Sequence, residues 1–251
     1  MRVGSIAAAL AMIAVVSAPA RAQVVFRILG VVTDDKGKPI EGADVHVEAL
    51  YGPAAGTYAG QRIFTAKTDA KGKWNVLGVK SGIWMFAVSA PGYVPEIVGL
   101  PINLLTAVSS RESGNSLPWT LVLKPERLPA GGPGDALAAA VDAARDGKKE
   151  DVKALLTRVP ADAPPEYLAA AARVAIVAGE YDLAQTLYAN ALQVDPSAYR
   201  TALGLATGFL VKRDFDSASK AFDAARARTH DRDEVRFITI ALSDLATIKV
   251  R

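Results

Sequence analysis

The chain has 251 residues, 51% of them hydrophobic and 22% charged, a balance that suits packed domains and is too apolar for a disordered chain. Its formal net charge is +3, but residues 23–125 hold 10 Lys and Arg against 8 Asp and Glu, and residues 126–251 hold 17 against 18. Neither part has the basic excess that phosphate neutralisation requires, so nucleic acid is not an expected partner. The absence of cysteine removes thiol catalysis, disulfides and thiolate metal sites.

Residues 1–22 read as a secretory signal peptide. Arg2 gives a positive start, Ile6 to Val16 is an unbroken apolar and small-residue run, and Ala18-Pro19-Ala20-Arg21-Ala22 offers small-x-small cleavage sites. Cleavage is expected after Ala22, with Ala20 as the alternative, and the protein is expected to be exported to a periplasm or secreted. No later stretch is long enough to span a membrane.

Strands are expected over Phe26–Thr33, Ala43–Ala49, Arg62–Thr68, Lys73–Val79 and Ile83–Ala90, with a sixth starting between Tyr93 and Gly99 and a seventh over Leu117–Lys124. Val45 and Val47 alternate with Asp44, His46 and Glu48, and Trp84, Phe86, Val88 and Ala90 alternate likewise, the period-two pattern of a strand with one buried face. Asp34-Asp35-Lys36-Gly37 and Asp69-Ala70-Lys71-Gly72 are turns: the Asp carboxylate can accept from backbone N–H groups and Gly tolerates positive φ. Residues 51–60 and 106–116 read as loops. Short strands at this spacing argue for an all-β sandwich of about seven strands.

Three ordered pieces carry a family resemblance. Gly30, Val32, Asp34, Gly37, Pro39, Ile40, Gly42, Ala43 and Val45 form the first. Thr68, Asp69, Gly72 and Trp74 form the second. Gly82, Trp84, Phe86, Val88, Ala90, Gly92 and Tyr93 form the third. Together they resemble the carboxypeptidase regulatory-like domain, a transthyretin-like β-sandwich. That resemblance implies a fold and a binding role. It implies no catalytic residues.

The sandwich is placed at residues 23–125. Residues 126–134, rich in Pro and Gly, read as a linker. Residues 135–251 are helical in character, with helices expected over Asp135–Arg145, Glu150–Arg158, Glu166–Ala178, Tyr181–Gln193, Ala198–Lys212, Phe215–Arg228 and Glu234–Lys249, the first with Asp135 as N-cap. Ala172, Ala175, Tyr181, Asp182, Ala184, Tyr188 and Ala191 recur 34 residues later as Ala206, Phe209, Phe215, Asp216, Ala218, Phe222 and Ala225. That period, with small residues where helices touch, resembles tetratricopeptide repeats. The second unit has His230 where that pattern has Pro, and Leu168 and Ala202 replace the usual leading aromatic. A degenerate unit precedes the two good ones and a final helix follows them. The fold class is therefore an all-β sandwich followed by an all-α array of helical hairpins.

Little here points to chemistry. His46 and His230 are the only histidines and have no ligand-spaced partner. Asp34, Asp35 and Asp69 are explained by their turns and offer too few oxygens for calcium. No nucleophile elbow, phosphate-binding loop or dinucleotide fingerprint is present. The chain is thus expected to be non-enzymatic, without cofactor or metal, and to bind a protein or peptide of the cell envelope. In the repeats, the first helix of each unit would line the inner face. That puts Arg173, Ile176, Leu203, Thr207 and Leu210 at the candidate partner site, with Glu166 and Ala169 beside them. The alternative is a carbohydrate-binding module working through the sandwich, with Tyr51 and Tyr58 as glycan contacts. Trp74, Trp84 and Trp119 are expected in the core, on the apolar side of their strands.

Overall fold

The computed structural model describes residues 25–51, 63–102, 118–123 and 133–249. The expected signal peptide, residues 52–60 of the loop expected over 51–60, the loop expected over 106–116, residues 126–132 of the expected linker and Tyr58 lie outside these residues, as do the side chains of Tyr51 and Trp119.

Seven described strands form the front half: β1 (Val25–Asp34), β2 (Asp44–Tyr51), β3 (Ile63–Lys67), β4 (Lys73–Lys80), β5 (Gly82–Ser89), β6 (Glu96–Ile102) and β7 (Pro118–Leu123). They make two sheets, β4-β1-β7 and β3-β2-β5-β6. All pairs are antiparallel except β1 with β7, which run parallel. The inward residues expected from the alternation fill the space between the sheets: Ile28, Val32, Val45, Val47, Trp74, Val76, Trp84, Phe86 and Val88 are all buried. Tilted ring pairs, Phe64 on Trp84 and Trp74 on Phe86, pack the centre. Trp74 stands directly opposite Gly30 and lays its indole across it; a Cβ at position 30 would sit 2.4 Å from the ring.

The two expected turns have one design. Asp34 accepts from the N–H groups of Lys36 and Lys38, Asp69 from those of Lys71 and Lys73, and Gly37 and Gly72 take φ of 78° and 69°. The two backbone donors to Asp69 lower its carboxyl pKa from the ordinary 3.8.

The helical half comprises α1 (Pro133–Arg145), α2 (Lys149–Leu156), α3 (Pro165–Val177), α4 (Tyr181–Val194), α5 (Tyr199–Val211), α6 (Phe215–Arg226) and α7 (Arg232–Lys249). Because α1 begins at Pro133, Asp135 lies inside its first turn and does not cap it. Pro suits that start, since its missing N–H would be unpaired there anyway. The helices pair as α1–α2, α3–α4 and α5–α6, with α7 closing the array. Three hairpin turns repeat one device, in which the second residue after the helix takes a left-handed conformation. The next N–H then reaches back to the helix: Lys148 to the Ala143 carbonyl, Glu180 to Ala175 and Asp214 to Phe209.

Gly147 and Gly179 occupy the left-handed position with φ of 72° and 76°, but the third turn places Arg213 there with φ of 60°. A side chain in that conformation costs about 1–2 kcal/mol. Glycine's extra freedom in the unfolded chain takes back about 0.4–1 kcal/mol, and the remaining gain of about 1 kcal/mol is expected to raise the Tm of Arg213→Gly by about 2–4 °C; an unchanged or lower Tm in thermal unfolding would refute this. Asp214 next to it caps α6 by accepting from the Ser217 N–H, and the Ser217 hydroxyl first and that N–H second lower its pKa from 3.8. This capping is complete above the ordinary carboxylate value and is lost as pH falls through the lower folded one.

Candidate functional site

Two neighbouring strands are apolar on both faces. In β5, Trp84, Phe86 and Val88 point into the sandwich, while Ile83, Met85 and Ala87 point away from it. In β6, Val98 and Ile102 join the sandwich core and Ile97 faces outward. The outward set is covered by the first helices of the repeats. Val94 and Ile97 share a core with residues of α1, α3 and α4, against which Met85 and Ala87 also pack. Ile83 shares another with α5, α6 and α7. Burial of both faces explains why β5 and β6 read as nearly continuous apolar runs.

Strand β6 is also the edge of its sheet, and edges leave unpaired backbone groups. Here the edge is closed by sequence and by helix. The N–H of Gly99 points away from β5 and donates to Thr207 Oγ1 at 2.9 Å. Residues 95, 97 and 101 share its parity. Two of them, Pro95 and Pro101, have no N–H to leave unpaired. The free carbonyl of Pro95 accepts from Arg173 Nε at 2.8 Å. Thr207 is fully buried and makes its second hydrogen bond by donating to the Leu203 carbonyl one turn back. Its hydroxyl therefore presents a fixed acceptor to the strand.

Gly99 permits this close approach. A Cβ there would lie 3.1 Å from Leu210 Cδ1 and 3.1 Å from Thr207 Oγ1. Arg173 also pairs with Glu96 at 3.6 Å, the two side chains 14% and 23% exposed. Beneath them lies Tyr188, whose phenol is held well above its usual pKa by burial first, with Arg173 lowering it and Glu96 raising it. Tyr188 in turn lies against Gly204 on α5, where an added Cβ would meet its ring at 2.6 Å.

Of the five candidate residues of the inner face, Arg173, Thr207 and Leu210 meet β6. Ile176 is buried in the core shared with Val94 and Ile97, and Leu203 packs beside the one that includes Ile83. Ala169 is buried as well, whereas Glu166 is exposed at the start of α3. Arg173 and Thr207 are 34 positions apart and so occupy the same place in consecutive repeats. Sequence reasoning missed the strand side: Pro95, Glu96, Ile97 and Gly99. The alternation Pro95-x-Ile97-x-Gly99-x-Pro101 was its available signal.

The other candidates stand apart. Trp74 and Trp84 are buried at 3% and 0% exposure, as expected. Tyr51 ends β2, and its side chain lies outside the described ones. His46 lies on the outer face of β2, 3.5 Å from Glu48, both about two-fifths exposed. His230 is exposed between α6 and α7. Among the described residues no group of His, Cys, Asp and Glu could hold a metal ion, and no helix is long and apolar enough to cross a membrane.

The family model of the carboxypeptidase regulatory-like domain matches residues 27–108. No curated protein matches the chain. Among solved structures, the chain is similar to the tetratricopeptide domain of Sgt2 from Aspergillus fumigatus, at 15% identity and a TM-score of 0.38, covering 49% of this chain and 85% of that one. It is also similar to the Yersinia enterocolitica type III secretion chaperone SycD in complex with a peptide of the translocator YopD, at 21% identity and a TM-score of 0.34, covering 46% and 91%. A third similarity is to a variant of the Acinetobacter radioresistens catechol 1,2 dioxygenase, at 17% identity and a TM-score of 0.33, covering 44% and 55%. Residues 27–108 thus match the carboxypeptidase regulatory-like domain, and the helical hairpins that follow carry the 34-residue recurrence.

Proposed function

We propose that this protein is a non-enzymatic, exported interaction module of the cell envelope whose helical repeats bind a protein or peptide. One observation carries the reading. Arg173 and Thr207, equivalent residues of two consecutive repeats, hold the backbone of an extended strand at a carbonyl and an N–H four residues apart. Four residues of strand span about 13 Å, close to the roughly 10 Å at which neighbouring helices pack. One polar side chain per repeat can therefore follow an extended chain. Main-chain recognition of this kind supplies affinity, and apolar pockets beside it supply selectivity.

The test is capture from an envelope extract on immobilised full-length protein, compared with Arg173→Ala combined with Thr207→Val. Proteins held by the wild type should drop at least about tenfold on the double variant, the loss of about 1.4 kcal/mol or more that two charge-assisted or buried hydrogen bonds represent. Circular dichroism confirms that the variant is folded. Equal capture by both proteins would remove the inner face from the interaction, and retention of cell-wall glycan alone would replace the reading with carbohydrate binding.

A further inference from the structure

Resting on that reading, we propose that β6 is a resident occupant of the partner site. The external partner is then a segment of the same kind, which binds only when β6 is released. The occupant defines the chemistry required. It is extended. Its first carbonyl meets Arg173, and an acidic residue, Glu96, follows and pairs with the same guanidinium. An aliphatic side chain, Ile97, enters the helical core. A glycine stands where a Cβ would press to 3.1 Å against Leu210 Cδ1 and Thr207 Oγ1, tighter than a side chain ordinarily sits. The partner is thus an apolar extended segment with an acidic residue three positions before a glycine.

The contact is built so that it can be exchanged. Its directional part is a small set of bonds to main-chain atoms, which any strand of this pattern reproduces. Its apolar part is a face of the sandwich that remains part of a folded sheet on release. A site filled by its own chain for most of the time shows an affinity reduced by the fraction of time it is open. Opening it from the sandwich side should therefore strengthen partner binding without altering the repeats.

The probe is a fluorescent peptide with the sequence of residues 93–102, read by anisotropy against full-length protein. A control peptide carries valine at the position of Gly99 and lysine at that of Glu96. Gly99→Val disturbs only the occupant, and Gly99 has no left-handed backbone that would forbid a side chain. It should bind the peptide at least about tenfold more tightly than the wild type and ignore the control. The natural chain has no cysteine, so Gly99→Cys with Thr207→Cys introduces a single pair. A Cβ at position 99 lies 3.3 Å from Thr207 Cγ2, within reach of disulfide geometry. Oxidation should abolish peptide binding, and reductant should restore it.

The proposal falls if Gly99→Val, folded by circular dichroism, binds no better than the wild type, or if the oxidised pair binds like the reduced one. Should the oxidised pair capture the same envelope proteins as the wild type, displacement is wrong and the interaction reading stands. Should neither capture anything while Gly99→Val binds the peptide, the interaction reading is wrong and the strand receptor stands. A stable dimer of Gly99→Val by light scattering would overturn the external partner in favour of a second copy of this chain.

Discussion

Gly204→Val is expected to cost about 3 kcal/mol, the upper part of the usual range for overpacking a filled core. An added Cβ at position 204 would lie 2.6 Å from Tyr188 Cε1 and Cζ and 2.7 Å from its hydroxyl oxygen. The ring cannot retreat, because Tyr188 is 1% exposed and enclosed by α3, α4 and α5. Valine adds two further methyl groups to the collision. The helices must separate, and the Arg173 guanidinium beside Tyr188 should move off the Pro95 carbonyl. Equilibrium denaturation followed by helical circular dichroism reads the loss. Adding Tyr188→Ala should recover part of it, since two changes at one contact are coupled. An unchanged denaturation midpoint in Gly204→Val would show that α4 and α5 do not touch in this way.

Trp84→Ala is expected to cost about 3–5 kcal/mol, the usual result of emptying a buried aromatic site. Trp84 is 0% exposed, tilts against Phe64 and donates its indole N–H to the Lys80 carbonyl at 2.9 Å. A loss of that size is a large fraction of the roughly 5–15 kcal/mol that holds a domain together. Because the opposite face of β5 carries Ile83 and Met85 against the helices, loosening the sandwich also exposes the inner face of the repeats. Urea unfolding followed by fluorescence of the remaining tryptophans is the check. A loss under about 1 kcal/mol would mean that the indole faces water. The carbohydrate reading would then regain a candidate aromatic.

Much of the architecture was legible because it is encoded over short distances. The alternation through Val45 and Val47 placed β2 and its buried face. The Asp-x-x-Gly pairs at Asp34 and Asp69 placed two turns, since a carboxylate two residues from an N–H needs no distant partner. The 34-residue recurrence from Tyr188 to Phe222 placed the hairpins, both residues being buried where their helices meet. Asp135 misled because an acidic residue suits both an N-cap and a first turn, and Pro133 decided between them.

The candidate site was legible on one side only. Helical register put Arg173, Thr207 and Leu210 on the inner face of the repeats, where the structure has them. The same logic did not reach Pro95, Glu96 and Gly99. An apolar run such as β6 shows that two faces are buried but not against what.

The order of elements, the turns between them and part of each core could be read along the chain. Those depend on periods of two, 3.6 and 34 residues that operate within a single stretch of chain. The docking of the sandwich against the inner face of its own repeats became visible only in three dimensions. That docking joins Gly99 to Thr207, residues 108 positions apart. It rests on the fit between two finished surfaces, a strand edge lacking a Cβ at one point and a helix offering a hydroxyl there, and no local pattern in the chain records such a fit.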